Sequence, residues 1–375
     1  MSWAELDGGR IRRNLRTIRE TLPDGVRVCA VLKGNAYGHG LRETGTFLAE
    51  NRLADMTAVA NLAEAAVLEQ ILVRTGSDMS ILLLGYADTE EAEAFIREGE
   101  IHPDRILFSA CSLEHFRQLD QLGIRLGVRL RVHLRLDEWD SGVGISYSAY
   151  RNNEGMFYEA EGVEVCGLFS HMYTSYEKNQ ERTERELKTF DALVREIPED
   201  YRKRLTVHVL SSPLVFRFPG YAFDMVRVGT ALYGLPCRDH GLVQPVMRIC
   251  GRIYAIREVG PEVPLSYENS DAETGVRRIA QVMLGFGDCP CLLTRTTIMA
   301  DVRGKQYPLA DEACMDHLCL DITGAEDVCV GDVAVLMGPE GITPYNIISR
   351  SGIRYVHSDW MTITTERLEK VMKDE

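Results

Sequence analysis

A lysine closes the apolar run at residues 31–33, VLK, and GNAYGHG follows at once. The chain brings a cation to the end of a strand-like segment and then breaks into a turn. That turn holds Gly34, Gly38 and Gly40, with Tyr37 and His39 between them. A lysine so placed is a solvated surface charge, a phosphate ligand or a covalent anchor. Polar side chains recur at the ends of later apolar runs. Arg135 and Asp137 close the run at 129–136, and His171 closes 163–171. Ser211 and Ser212 follow 205–211, and Arg227 and Gly229 end 224–229.

The elements that carry these groups repeat regularly. Eight β-rich apolar runs, at 27–33, 55–60, 80–85, 105–110, 129–136, 163–171, 205–211 and 224–229, alternate with amphipathic helical patterns such as EEAEAFIREGE. The alternation predicts an α/β fold, a (β/α)8 TIM-type barrel, in which functional groups gather at the C-terminal ends of the strands. An open doubly wound sheet is the alternative, but no G-x-G-x-x-G fingerprint follows the first run. After Tyr233 the pattern becomes short strands punctuated by Gly, Pro and Asp. A mostly β C-terminal domain is expected over 238–375, behind a barrel over 1–237 whose first few residues pair with the β domain. Helical periodicity returns only in the tail, around 343–372.

Composition narrows the function classes. The 375 residues carry a net charge of −14 without a dense Lys/Arg run, which argues against nucleic acid or an anionic membrane surface as a partner. No apolar run reaches the ~18 residues of a membrane span. Ten scattered cysteines without C-x-x-C spacing read as free thiols in a reducing, cytoplasmic setting. Cys289 and Cys291 raise a metal or redox question but lack a second ligand pair, so no metal site is expected. The abrupt start, MSWAELDGGRIRRNL, fits either a whole cytosolic enzyme or a domain of something longer.

Barrels of this kind bind phosphate after strands seven and eight, where Ser212 and the Gly229-Thr230 backbone suit an anion. A lysine across the mouth from such a cup, with an arginine beside it, suggests pyridoxal phosphate. At this point the chain resembles a known family. VLKGNAYGHG is similar to the lysine motif V-K-A-N-A-Y-G-H-G of the alanine racemases of fold type III. GLFSHM, VRVGTALYGL, ACMDHLCLD, LSYENS and MLGFGD resemble that family's further segments in the same order, and WAELD with Asn14 resembles its opening.

The resemblance implies that Lys33 holds the cofactor as an aldimine and serves as base on one face of the substrate. It implies that Tyr37, Ser212, Gly229, Thr230 and Tyr355 bind the phosphate, and that Arg227 donates to the pyridine nitrogen without giving up its proton. His171 would join the hydrogen-bond network near Arg227. Met315 would offer its backbone N–H to the substrate carboxylate from a neighbouring subunit, which implies a homodimer with shared active sites.

Two departures from the family pattern bear on the reaction. The tyrosine of G-Y-A-D-G, the family's second acid/base, is Phe286 here, and phenylalanine transfers no proton. In RLDEWDSGVG the usual lysine is Arg135 and the usual arginine is Gly142. Arg135 is expected to reach the cofactor or the substrate carboxylate directly. The reading is a racemase of a small amino acid, alanine or serine, with a replacement for the lost phenol; Cys289 is one candidate, while Tyr267 is expected only to support. A single-base pyridoxal phosphate enzyme (decarboxylase, transaminase or retro-aldolase) and a non-catalytic cofactor-binding paralogue remain open.

Overall fold

A computed structural model of the chain describes residues 1–138, 143–176, 180–235, 241–266, 275–290, 293, 299–344, 346–347 and 364–374. After the first strand, β1 (Ser2–Asp7), each expected run of the first half becomes a parallel strand. They are β2 (Arg27–Val31), β3 (Met56–Val59), β4 (Ser80–Leu83), β5 (Ile106–Ala110), β6 (Leu130–Arg135), β7 (Val163–Phe169), β8 (Thr206–His208) and β9 (Met225–Val228). Their order is β8-β7-β6-β5-β4-β3-β2-β9. The circle closes between β8 and β9 by a bridge from Ser211 to Arg227 and by Arg227 N–H donating to Leu210 O at 3.0 Å. Strands such as MTAV and ILFSA are buried at every residue, because helices cover the outside while side chains fill the inside.

Helices return the chain between strands and are bounded by local chemistry. Asn61 caps the helix Leu62–Thr75 by accepting the Glu64 N–H, and Gly76 ends it in the left-handed conformation. Asn14, buried on the first helix, donates to the carbonyls of Leu232 and Gln244 and accepts the Gln244 N–H. One amide side chain thereby ties the start of the barrel to the chain that leaves it.

The second half forms its own sheet and its own apolar core. The strands are β10 (Met247–Val259), β11 (Arg277–Val282), β12 (Met299–Val302), β13 (Lys305–Pro308), β14 (Leu318–Asp321), β15 (Val333–Met337) and β16 (Glu369–Lys373). β1 lies between β10 and β16, antiparallel to the first and parallel to the second. Its inward residues Ala4 and Leu6 are fully buried in the second core. The tail differs from its expected helical character: residues 369–373 are strand, because the free edge of β1 offers them a full set of backbone partners.

Candidate active site

The segment after β2 turns the wrong way for L-amino acids. Gly34, Asn35, Ala36 and Tyr37 all lie near φ +50° to +65°, a left-handed helical turn ended by Gly38 at φ 78°. Each non-glycine residue there costs about 1–2 kcal/mol, so the turn must be held from outside. The Glu64 carboxylate accepts the N–H of Asn35 at 3.1 Å and that of Ala60 at 3.0 Å. Asn35 Oδ1 accepts the Leu41 N–H at 2.7 Å. His39 Nδ1 faces the carbonyls of Ala36 and Tyr37 and therefore carries the proton. Thr364, far along the chain, donates to Gly38 O at 2.6 Å. These bonds fix where Lys33 and Tyr37 point.

They point into a cavity of about 410 Å³ at the C-terminal end of the barrel strands, ample for a compact cofactor. Lys33, Tyr37, Arg135, His171, Ser212, Arg227, Gly229 and Thr230 all line it, together with Tyr173, Ser211 and Pro213. Larger clefts, of about 650 and 680 Å³, open elsewhere and do not collect these groups.

Charge in the cavity is one-sided. Burial pushes the Lys33 amine below its usual range, and the Arg227 and Arg135 cations add to the effect while Glu64 opposes it. Lys33 is an exposed residue at the cavity mouth, and the two cations act on its amine in the same direction as its partial burial. Arg227 is 4% exposed, and burial brings it down to about 10, so it stays charged at neutral pH. Its Nη1 donates to His208 Nδ1 at 2.6 Å and its Nη2 to Ser170 O at 2.9 Å. The imidazole bonded to Arg227 is thus that of His208. Strand alternation turns His208 into the barrel beside Arg227. His171 lies at the cavity wall, edge-on to Tyr173 with ring centroids 5.0 Å apart. Burial and then the cations of Arg227, Lys33 and Arg135 push it down to about 3.

The residues present fit a phosphate-bearing cofactor. Ser211 Oγ and Thr230 Oγ1 are buried without a hydrogen-bond partner at the rim where β8 and β9 meet. Ser212 Oγ accepts the N–H groups of Gly229 and Ala231 at 3.0 and 3.1 Å. Of the Gly229-Thr230 pair expected to suit an anion, the Gly229 N–H is engaged by Ser212, whose hydroxyl proton is free to be donated elsewhere. A Cβ at Gly229 would lie 2.4 Å from Tyr37 Oη, so only glycine admits the phenol at this end. Tyr355, and with it Tyr267, Gly142, Cys237 and Cys291, lies outside the described residues.

Phe286 and Met315 stand together in the second domain and do not line the cavity of their own chain. The Phe286 N–H donates to Cys314 O at 3.0 Å and the Gly287 N–H to Met315 O at 2.9 Å. Arg367 braces the pair of loops by bonding Asp288 at 3.1 Å and Asp316 at 2.6 Å. Met315 is 49% exposed. Cys289 is buried in the second core, its thiol pushed up by that burial, which removes it as a proton carrier at the mouth. Among the described residues no group of three or more His, Cys, Asp or Glu side chains is arranged to hold a metal ion.

Three contributors escape a reading of strand ends alone. Tyr173 lies two residues beyond His171 and receives Arg135 Nη2 on its phenol oxygen at 2.8 Å. The adjoining aromatics of HMYTSY were the only hint of it. Glu64 lies on a helix, and His208 in the middle of an apolar run.

Known proteins share this architecture. The family model described as alanine racemase, N-terminal domain, matches residues 6–236, and that for the C-terminal domain matches 246–372. Alanine racemase 2 of Caldanaerobacter subterraneus subsp. tengcongensis is 30% identical over 345 residues, 90% of this chain and 85% of that protein. The solved alanine racemase of Clostridium difficile 630 is 27% identical with a TM-score of 0.87, covering 100% of this chain and 96% of that one. The alanine racemase of Bartonella henselae, solved with covalently bound pyridoxal phosphate, is 20% identical with a TM-score of 0.82, covering 99% of both chains.

Proposed function

The chain belongs to the alanine racemase family and is a pyridoxal-phosphate-dependent isomerase of it, and from this premise we propose that it interconverts the enantiomers of alanine or serine through Lys33. The observation that carries the reading is the convergence of Lys33, Arg135, His171, Arg227 and the hydroxyls of Tyr37, Ser212 and Thr230 on one cavity.

Pyridoxal phosphate, when bound, supplies the electron sink that makes the α-hydrogen of an amino acid removable. Lys33 holds the group and carries a proton on one face of the substrate. Its lowered affinity for protons keeps more of the neutral amine available near neutral pH. Arg227 faces the ring nitrogen as a donor that keeps its own proton. Tyr37, Ser211, Ser212 and Thr230 hold the phosphate with hydroxyl donors, and Arg135 draws the substrate carboxylate.

A cytoplasmic homodimer is the proposed assembly, with Phe286 and Met315 of one subunit closing the cavity of the other. The half-exposed Met315 beside Phe286 supports this, since neither residue serves its own chain's cavity. Single-base chemistry is the second reading, favoured by the absent phenol at Phe286.

The test uses the purified protein with pyridoxal phosphate and single enantiomers of alanine or serine in deuterated water, followed by chiral chromatography and α-deuterium analysis. Interconversion from both enantiomers is expected. Exchange without inversion, or release of CO2 or aldehyde, would instead favour the single-base reading. Borohydride reduction followed by peptide mapping should find the cofactor on Lys33; its absence there sinks the assignment.

A further inference from the structure

Lys33, Arg135 and Arg227 bring three cations to the cavity, and no Asp or Glu is among the described residues that line it. Such a site receives anions. We propose that Arg135 and Tyr173 together form the receptor for the substrate carboxylate, Tyr173 orienting the guanidinium and adding its own O–H as a second donor. The inference rests on the function proposed above, in which Arg135 alone draws that carboxylate, and adds a further substrate-binding residue to it.

The three cations have different tasks. Arg227 is tied to the barrel wall, with Nη1 on the His208 ring and carbonyl and Nη2 on Ser170 O. Lys33 belongs to the cofactor. Arg135 is the cation left for the substrate. It ends β6, which lies four strands from β2 in a ring of eight, so it stands across the mouth from the Lys33 side. A substrate in the mouth lies between the two.

An arginine without support would not hold one position there. Its side chain is rich in rotamers, and the like charges of Lys33 and Arg227 push it outward. Arg135 Nη2 instead donates to Tyr173 Oη at 2.8 Å. The phenol is held in its turn. Tyr173 opens the short 3₁₀ turn Tyr173–Tyr176, and its neighbours Met172 and Thr174 are buried. Thr174 Oγ1 donates to the Glu186 carboxylate at 2.7 Å, and Thr183 Oγ1 donates to Thr174 O at 3.1 Å. Both partners lie on the helix Glu181–Glu196, which anchors the turn. The Tyr173 ring, 56% exposed, therefore rises from a buried base and meets the His171 ring edge-on.

Hydrogen-bond direction shows what the pair can take. A guanidinium only donates, so the bond runs from Arg135 to the phenol oxygen and leaves the phenol hydrogen to be given. Arg135 has further N–H groups besides the one that faces Tyr173. A carboxylate at the mouth accepts from both side chains in charge-assisted bonds. The receptor thus recognises a free α-carboxylate, and an amine without one gains nothing from it.

The test titrates the loaded enzyme with propionate, by calorimetry, and with ethylamine, by the absorbance of the cofactor. Propionate is the carboxylate of alanine without its amine; ethylamine is an amine without the carboxylate. Tyr173→Phe is expected to weaken propionate ~10-fold and to leave ethylamine within about twofold. Arg135→Lys, which keeps the charge and loses the planar fork, should weaken propionate as well. Propionate bound by Tyr173→Phe within about twofold of the parent overturns the proposal, as does a parent that binds no propionate. Equal loss of both ligands also overturns it, since Tyr173 would then only support the pocket. Kinetics with L-alanine give a second readout: Tyr173→Phe should raise KM ~10-fold and keep kcat within about threefold, and an unchanged KM would refute the receptor. A parent that inverts neither alanine nor serine, yet binds propionate through Tyr173, defeats the racemase function and leaves the carboxylate receptor standing.

Discussion

His208 Nε2 lies 2.9 Å from His133 Nδ1 in the interior of the barrel. Arg227 donates to the other nitrogen of His208, so the shared proton belongs to His208 Nε2 and the proton of His133 to its own Nε2. That last nitrogen is buried without a partner. Each ring thus holds one proton and has no place for a second beside the Arg227 cation.

Stability should therefore fall with acidity before any carboxylate titrates. Burial, aided by nearby arginines, pushes His133 down to about 3, and burial pushes His39 down to about 4. In the unfolded chain both titrate near 6.5. Below that pH the unfolded chain binds protons that the folded one refuses, so the stabilisation is complete above 6.5 and lost as pH falls. The slope is about 1.4 kcal/mol per pH unit for each histidine. Urea unfolding at pH 7 and 5.5 measures it, and a midpoint that does not move would contradict the buried neutral rings.

Gly229→Ala should weaken cofactor binding by at least ~10-fold and cost about 1–3 kcal/mol of stability through overpacking. The new methyl meets Tyr37 Oη at 2.4 Å, and the phenol must leave the phosphate end. Fluorescence titration of the cofactor-free variant with pyridoxal phosphate checks this; unchanged affinity would show that Tyr37 is dispensable there.

Glu64→Ala removes the acceptor shared by the N–H groups of Asn35 and Ala60. Two part-buried donors lose their partner, at about 1–3 kcal/mol each if water does not replace it. The left-handed turn loses a clamp, and Lys33 should retain pyridoxal phosphate less well on dialysis. Glu64→Gln, which keeps one oxygen, should recover part of the stability but not the charge that favours the Lys33 ammonium. Equal behaviour of parent and both variants in unfolding and dialysis would mean the clamp is idle.

Much of the molecule was legible beforehand. Each barrel strand falls within a few residues of its apolar run, since strands covered on both faces must be continuously apolar and the helices between them amphipathic. Lys33, Arg227 and Thr230 were legible because groups at the ends of such strands share one rim, and Tyr37 through the resemblance of its motif to that of the family. His208 was not, for a histidine inside an apolar run looks like any buried side chain until a neighbour is known. The tail misled because EKVMK alternates weakly, and the edge of β1, more than 360 residues earlier, decides its conformation.

The sequence by itself determined the barrel, the cofactor class and the loss of a phenol at position 286, because these depend on residue identity and local period. Only the tertiary structure decided which groups face one another. Lys33 follows β2 and Arg135 ends β6, far apart in the chain, and their opposition across the mouth follows from ring closure between β8 and β9. Closure is a long-range event, in which distances along the chain carry no information about distances across the mouth.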